Sequence, residues 1–194
     1  MYDTYLTNLP SRITAGTLTF SDKSVVYVGA LADNGAATAV QMAPVTTNSL
    51  LFTVNSVSDT CQNAGLTEIV VQGYLASAKA SSSIASSSAI SSSVVASSSV
   101  VASSTVSSVI VQPTTSPSYS GNNNIAGLAK AAASTWYSTS TAFSAIDGVF
   151  SGYPSNRTAE WASVQKDGAW LRLNWPEDMI VTGVILYDRM NQNE

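Results

Sequence analysis

The stretch GAWLRLNWPEDMIVTGVILYDR, residues 168–189, is where the fold of this chain is decided. In its first part Leu171, Leu173 and Trp175 fall on one face and Arg172 and Asn174 on the other, the period-two alternation of a strand covering a core. Its second part, MIVTGVILYDR, is a longer apolar run, suited to a central strand with neighbours on both sides. Working outward, SLLFTVNSV (residues 49–57) repeats the alternation with Leu50, Phe52 and Val54 on one face. TAGTLTF (14–20), KSVVYVGAL (23–31) and LTEIVVQGYL (66–75) are further short β-branched or aromatic runs. Gly16, Gly29, Asp33-Asn34-Gly35 and Asn63-Ala64-Gly65 read as the turns that separate them. No apolar stripe of helical period extends beyond about two turns. NIAGLAKAAAS (124–134) is the one helix-like piece, and Gly127 and the Ser/Thr cluster after it weaken that reading. The class is all-β, and many short strands at this spacing predict a jelly-roll-type β-sandwich.

Composition removes several function classes. The net charge of -4 rests on 8 basic and 12 acidic side chains in 194 residues, with no basic cluster. Phosphate backbones need clustered Lys and Arg, so nucleic acid is not expected as a partner. Histidine is absent, which excludes Ser-His-Asp triads, HExxH motifs and His-based zinc sites. Cys61 is the only cysteine; it has no partner for an intrachain disulfide and is expected as a small buried hydrophobe. No run reaches the ~18 to 20 apolar residues that cross a bilayer as a helix. The first residues show no basic region followed by an apolar core, so no signal peptide is visible.

Residues 76–120 differ from the rest. Triplets of serine alternate with pairs of Val, Ile or Ala, and Lys79 is the only charge. Such small side chains bury too little area to offset about 1 to 2 kcal/mol of backbone entropy per residue. This segment is therefore read as a Ser-rich, low-complexity linker, stiffer towards Pro113 and Pro117, with the Ser/Thr/Pro composition of an O-glycosylated stalk. It divides the chain into flanks of residues 1–75 and 121–194. Each is small for an independent sandwich, whereas together they make one domain of ordinary size.

The flanks carry a resemblance. From residue 124 onward, NIAGLAKAAAST, AIDGVFSGYPSNRTAEW and GAWLRLNWPEDMIVTGVILYDR resemble the first half of a discoidin domain, also called the factor 5/8 type C or galactose-binding-like domain. ITAGTLTFSDKSVVYVGAL and LLFTVNSVSDTCQNAGLTEIVVQG resemble its second half, ending on a Glu-containing strand. The pattern is similar to a fungal subfamily that accompanies hydrolases resembling N-acetylglucosaminylphosphatidylinositol deacetylases. The halves stand in swapped order, and Leu186-Tyr187-Asp188 near the end echoes Met1-Tyr2-Asp3 at the start. Two origins fit: a piece cut from a tandem array, or a permuted domain that closes on itself. A flexible linker of roughly 45 residues spans about 35 to 40 Å, close to the diameter of such a domain, and would also let two chains exchange halves. In either case the strand containing Leu186 is expected beside the segment from Ile13 to Phe20.

The resemblance implies a set of site residues. Discoidin-type sugar-binding modules commonly hold a structural calcium ion (Ca2+) between the Asp of the Asp-Gly turn and the Glu of the last strand, which here are Asp147 and Glu68, with Thr158 beside them. Calcium accepts six to eight oxygens in flexible geometry, while an Asx turn is the plainer role for Asp147. The spacing in NRTAEW departs from many relatives by one residue between Thr158 and Trp161. Trp161 and Trp170 are expected in the core. Trp136, Tyr137, Tyr153, Asp188, Arg189 and Asn191 lie in polar contexts and supply the mixture of aromatic faces and hydrogen-bonding groups that sugar pockets use; a surface ion pair is the plainer role for Arg189. Asn156 heads Asn-Arg-Thr, an N-glycosylation acceptor in a secreted protein.

Three functions compete. The first is a non-catalytic carbohydrate-binding accessory module, secreted or at the cell surface, with a glycan or polysaccharide as partner. The second is a membrane-surface adhesion module, disfavoured by negative charge and by the lack of basic residues around apolar spikes. The third is an enzyme, but the obvious carboxylate pair, Glu177 and Asp178, is adjacent in an expected turn and would point apart. A His-free chain cannot carry the zinc motif of the related deacetylases, so catalysis would reside in another domain.

Overall fold

The computed structural model describes residues 12–32, 35–77, 123–152 and 155–189. The long apolar stretch forms one strand, β8 (Trp170–Asp188), and the rest of the sheet is arranged around it. The N-terminal flank supplies β1 (Ile13–Phe20), β2 (Val25–Val28), β3 (Ala37–Val57) and β4 (Gly65–Leu75). The C-terminal flank adds β5 (Asn123–Asn124), β6 (Lys130–Ala133) and β7 (Trp161–Ala162), together with 3-10 turns at Ala126–Leu128 and Ala142–Ala145. The pairings are antiparallel. The two flanks therefore build one all-β sandwich.

Strands β3 and β8 run antiparallel along most of their lengths and belong to both layers. One layer is β2, β1, the second part of β3, the first part of β8, and β6. The other is the first part of β3, the second part of β8, β4, and the short β5 and β7. The ladder breaks where the strands pass between layers. Ser49 pairs with Asn174 and Thr47 with Met179, so residues 175–178 of β8 face Asn48 alone. A second break lies between the pairs Gln41↔Gly183 and Val45↔Val181. Pro176 sits in the first break and Pro44 in the second. Proline cannot donate to a ladder, and bulges are where it is tolerated. Glu177 and Asp178, expected in a turn, stand exposed in the first of these bulges.

The alternation read from the sequence is what the core uses. Leu50, Phe52, Val54, Leu171 and Leu173 are fully buried, and Trp175 lies beneath β8 with its Nε1 donating to Ile125 O at 2.8 Å. Arg172 and Asn174, on the opposite face, are exposed. Each of these large apolar side chains contributes about 1.5 to 3 kcal/mol on leaving water. Cys61 is buried as expected, and so is Trp161, while Trp170 is half-buried with Arg172 over its ring at 5.5 Å.

Three expectations are corrected. Leu186 does not lie beside Ile13–Phe20: its neighbours are Thr38 on β3 and Ile69 on β4. Strand β3 stands between β1 and β8, and their link is the Asp188 Oδ2 that accepts from Ile13 N at 2.8 Å. The helix-like NIAGLAKAAAS becomes a 3-10 turn followed by β6, because Lys130–Ala133 find a ladder on Asn174–Leu171 that outweighs alanine's helical preference. Gly16 is not in a turn but inside β1 at a register shift, where a Cβ would lie 2.7 Å from the Phe52 ring.

Apart from 76–77, the Ser-rich segment lies outside the described residues, but its two attachment points are neighbours: Gly73 on β4 pairs with Asn123 on β5. The segment leaves and re-enters the sandwich at one place and has no distance to span. Replacing residues 79–121 by a four-residue Gly/Asn turn should therefore leave the fold intact. Shortening the loop removes closure entropy, and at about 0.6 kcal/mol per halving of length it should stabilise by roughly 2 kcal/mol. Thermal denaturation checks this; a large fall in the melting temperature would mean that the segment contributes packing of its own.

Candidate functional site

Four of the sequence-predicted residues, Glu68, Asp147, Asp188 and Arg189, lie where β4 begins and β8 ends. Ile69 and Val71 of β4 point into the core with Leu186 and Val184 of β8. By the two-residue period, Glu68 and its cross-strand partner Tyr187 face the other way, outward. That outer face is covered by the segment after the 3-10 turn at Ala142–Ala145. Phe150 meets the Tyr187 ring edge-on at 4.8 Å between centroids, and Gly148 N donates to Glu68 Oε2 at 3.3 Å. Gly148 adopts φ +79°, a left-handed conformation open to glycine, and this turn delivers its N–H to the carboxylate.

Glu68 is completely buried, and its Oε1 has no hydrogen-bond partner among the described residues. Burial pushes its carboxyl up to about 8; the Gly148 N–H opposes the shift and the nearby Asp147 charge adds to it. Asp147 is exposed and closes an Asx turn by accepting from Val149 N at 2.8 Å. The structure thus brings Asp147 and Glu68, from opposite flanks, to one point. Thr158 is exposed, and its hydroxyl donates to Asn156 Oδ1 at 2.7 Å. Among the described residues no group of three or more Cys, Asp or Glu is placed to hold a metal ion.

Asp188 and Arg189, expected to face a ligand, are turned inward. Asp188 anchors Ile13 N. Arg189 is buried against Glu160, with Nη2 and Nε donating to Oε1 at 2.8 and 3.2 Å. Glu160 is fully buried and was not singled out from the sequence; its position immediately before a core tryptophan was the available signal. The two placements have different causes: Asp188 ends β8 beside the start of β1, and Arg189 continues the chain beneath the segment that carries Glu160 and ties it to the sheet. Tyr153 and Asn191 lie outside the described residues.

Trp136 and Tyr137, expected in polar surroundings, are 54% and 57% exposed. Their loop is firmly held. Tyr137 N donates to Ala162 O at 2.7 Å, Ala162 N to Ser140 O at 3.2 Å, and Trp161 Nε1 to Thr135 O at 2.9 Å. Thr135 and Ser163 hydroxyls meet at 2.6 Å, and Ser140 Oγ donates to Arg157 O at 2.7 Å. Two aromatic rings thus stand in solvent on a backbone fixed to the core through β7. Ser138 and Thr139 lie exposed beside them.

A family model described as a domain of unknown function (DUF7402) matches residues 1–72 and 124–194, and the chain belongs to that family. The matched residues are the two flanks that form the sandwich. No curated protein and no solved structure matches the chain.

Glu68 gives the metal-free protein a pH dependence. Below about 4.5 the side chain is protonated in both folded and unfolded chains and has no net effect. Between about 4.5 and 8 the unfolded chain releases the proton while the fold retains it, so stability falls as pH rises. The loss is complete above the folded value and proceeds at up to about 1.4 kcal/mol per pH unit. In the presence of chelator, Glu68→Gln should flatten the melting-temperature profile across this window; equal slopes for variant and parent would contradict it.

Proposed function

We propose that this member of the family is a non-catalytic carbohydrate-binding module of a secreted or cell-surface protein, built as a discoidin-like sandwich. The observation that supports it most is the Trp136–Tyr137 pair, about half exposed on a loop whose backbone is tied to β7. Soluble domains place large aromatics in water at a hydrophobic cost, and doing so on a pre-organised loop favours stacking on the C–H face of a sugar ring. Ser138 and Thr139 offer hydroxyls beside the rings. Arg189 supports the Glu160 segment from beneath and Asp188 anchors β1, and neither touches the glycan. Catalysis, in this reading, belongs to another domain such as a deacetylase-like hydrolase.

A structural divalent cation belongs to the same reading. The buried, unpartnered Glu68 Oε1 and the neighbouring Asp147 carboxylate are the donor types that calcium prefers. Glu68, Asp147 and nearby backbone carbonyls would hold the ion; Thr158 would join only by releasing Asn156. Bound calcium would supply charge neutralisation and tie the Asp-Gly turn to β4, with no part in a reaction.

Two outcomes are expected. In affinity electrophoresis through a panel of soluble polysaccharides, at least one should retard the protein, and Trp136→Ala with Tyr137→Ala should weaken that retardation at least tenfold without lowering the melting temperature. Retention by anionic lipid vesicles with none by polysaccharide would replace the carbohydrate reading by the membrane-surface one. Separately, calcium should raise the melting temperature through its preference for the folded form, and Asp147→Ala should abolish the rise. If chelator and calcium give the same melting temperature, the cation has no place in the fold.

A further inference from the structure

We propose that Asn156 carries an N-linked glycan, and that this glycan stands at the edge of the Trp136–Tyr137 loop and restricts access to it. Asn156-Arg157-Thr158 is the only Asn-X-Ser/Thr with X other than proline in the whole sequence. Acceptors of this kind are glycosylated when they reach the secretory lumen and remain modified when the folded chain has room for the sugar. Asn156 and Thr158 are both exposed and lie in a turn. Thr158 donates to Asn156 Oδ1 twice, from its hydroxyl at 2.7 Å and from its backbone N at 3.2 Å. The acceptor's own backbone is satisfied, with Asn156 N donating to Gly152 O and Ala159 N to Asn156 O. Attachment therefore breaks no backbone hydrogen bond, and Asn156 Nδ2 makes no hydrogen bond among the described residues.

The transfer balances with a polyprenyl pyrophosphate-linked oligosaccharide as donor. Asn156 Nδ2 forms a bond to the first sugar carbon, the bond from that carbon to the pyrophosphate oxygen breaks, and lipid pyrophosphate leaves. The proton lost from Nδ2 passes to the transferase. No oxidation or reduction occurs.

Position makes the modification consequential. Ser140 Oγ donates to Arg157 O at 2.7 Å, so the acceptor turn and the aromatic loop share a hydrogen bond one residue from Asn156. A glycan rooted there projects into the solvent that Trp136 and Tyr137 occupy. The inference rests on the secreted or cell-surface reading and on the exposure of the two rings, and not on which ligand they bind.

The test expresses the full chain behind a cleavable secretion signal in a eukaryotic host. One glycan-sized mass increment should appear, map to the peptide containing Asn156, and vanish on treatment with a peptide N-glycosidase. It should be lost in Asn156→Gln and Thr158→Ala and kept in Thr158→Ser, which controls for misfolding. Trp136 is the most exposed of the tryptophans, Trp161 and Trp175 being buried. Acrylamide should accordingly quench the glycosylated protein less than the same protein after enzymatic deglycosylation. An unmodified Asn156 in a host that modifies a control acceptor would overturn the proposal, and so would an attached glycan with identical quenching.

Discussion

Strand β8 has its backbone donors and acceptors on both sides, and only β3 and β4 of the other flank can satisfy its central stretch together. This antiparallel insertion, with Leu186 between Thr38 and Ile69, is what the rest of the molecule depends on. Without it, β3 and β4 would each present an open edge and β8 would expose two, a state that natural sheets avoid. The same insertion closes the core, since Leu171, Leu173, Val184 and Leu186 complete the apolar surface begun by Leu18, Leu50, Phe52 and Ile69. Neither flank holds a full complement of inward-facing residues, so the unit of stability is the pair.

Insertion also brings together pairs of positions that are distant along the chain. Antiparallel neighbours need only short connections, and the two junctions that matter are both closed in space. Gly73 lies opposite Asn123, and Ile13 is hydrogen-bonded to Asp188. The fold is indifferent to which junction is covalently continuous, because backbone ladders and side-chain packing carry its free energy, while chain closure contributes only a slowly varying entropy.

At the end where β4 starts and β8 stops, the outer face of the sheet is used rather than left to water. The Asp147–Phe150 segment covers Glu68 and Tyr187, and the Glu160–Arg189 ion pair fixes the neighbouring loop. Burying a polar group without a hydrogen bond is costly, so Glu68, whose Oε1 has no partner among the described residues, is a local conflict inside an otherwise consistent core. Such conflicts tend to mark places where function has overridden packing. The aromatic loop shows the opposite arrangement: its backbone is tied to β7 at Tyr137 and Ser140 while its rings are half in solvent.

How far the sequence reached follows from the range of the forces involved. Period-two alternation is local, and it identified the inward faces of Leu50–Val54 and Leu171–Trp175, the central character of the Met179–Asp188 run and the all-β class. The expectation that Asp147 and Glu68 meet came from a resemblance and not from any local pattern; the structure sets the Asp147 charge near Glu68. Which strands are neighbours is not local: β3 separates β1 from β8 because it is long enough to pair with both, bulging at Pro44 while β8 bulges at Pro176. The alanine-rich piece became a strand because an edge ladder was available to it. Asp188 and Arg189 looked like surface groups because their polarity is visible in sequence, whereas their burial depends on a backbone N–H and a carboxylate contributed by distant segments. The sequence by itself determined the inward and outward faces of the strands; only the tertiary structure decided which strands are neighbours and which charged groups meet water, since pairing and burial are properties of what packs against a residue and not of the residue.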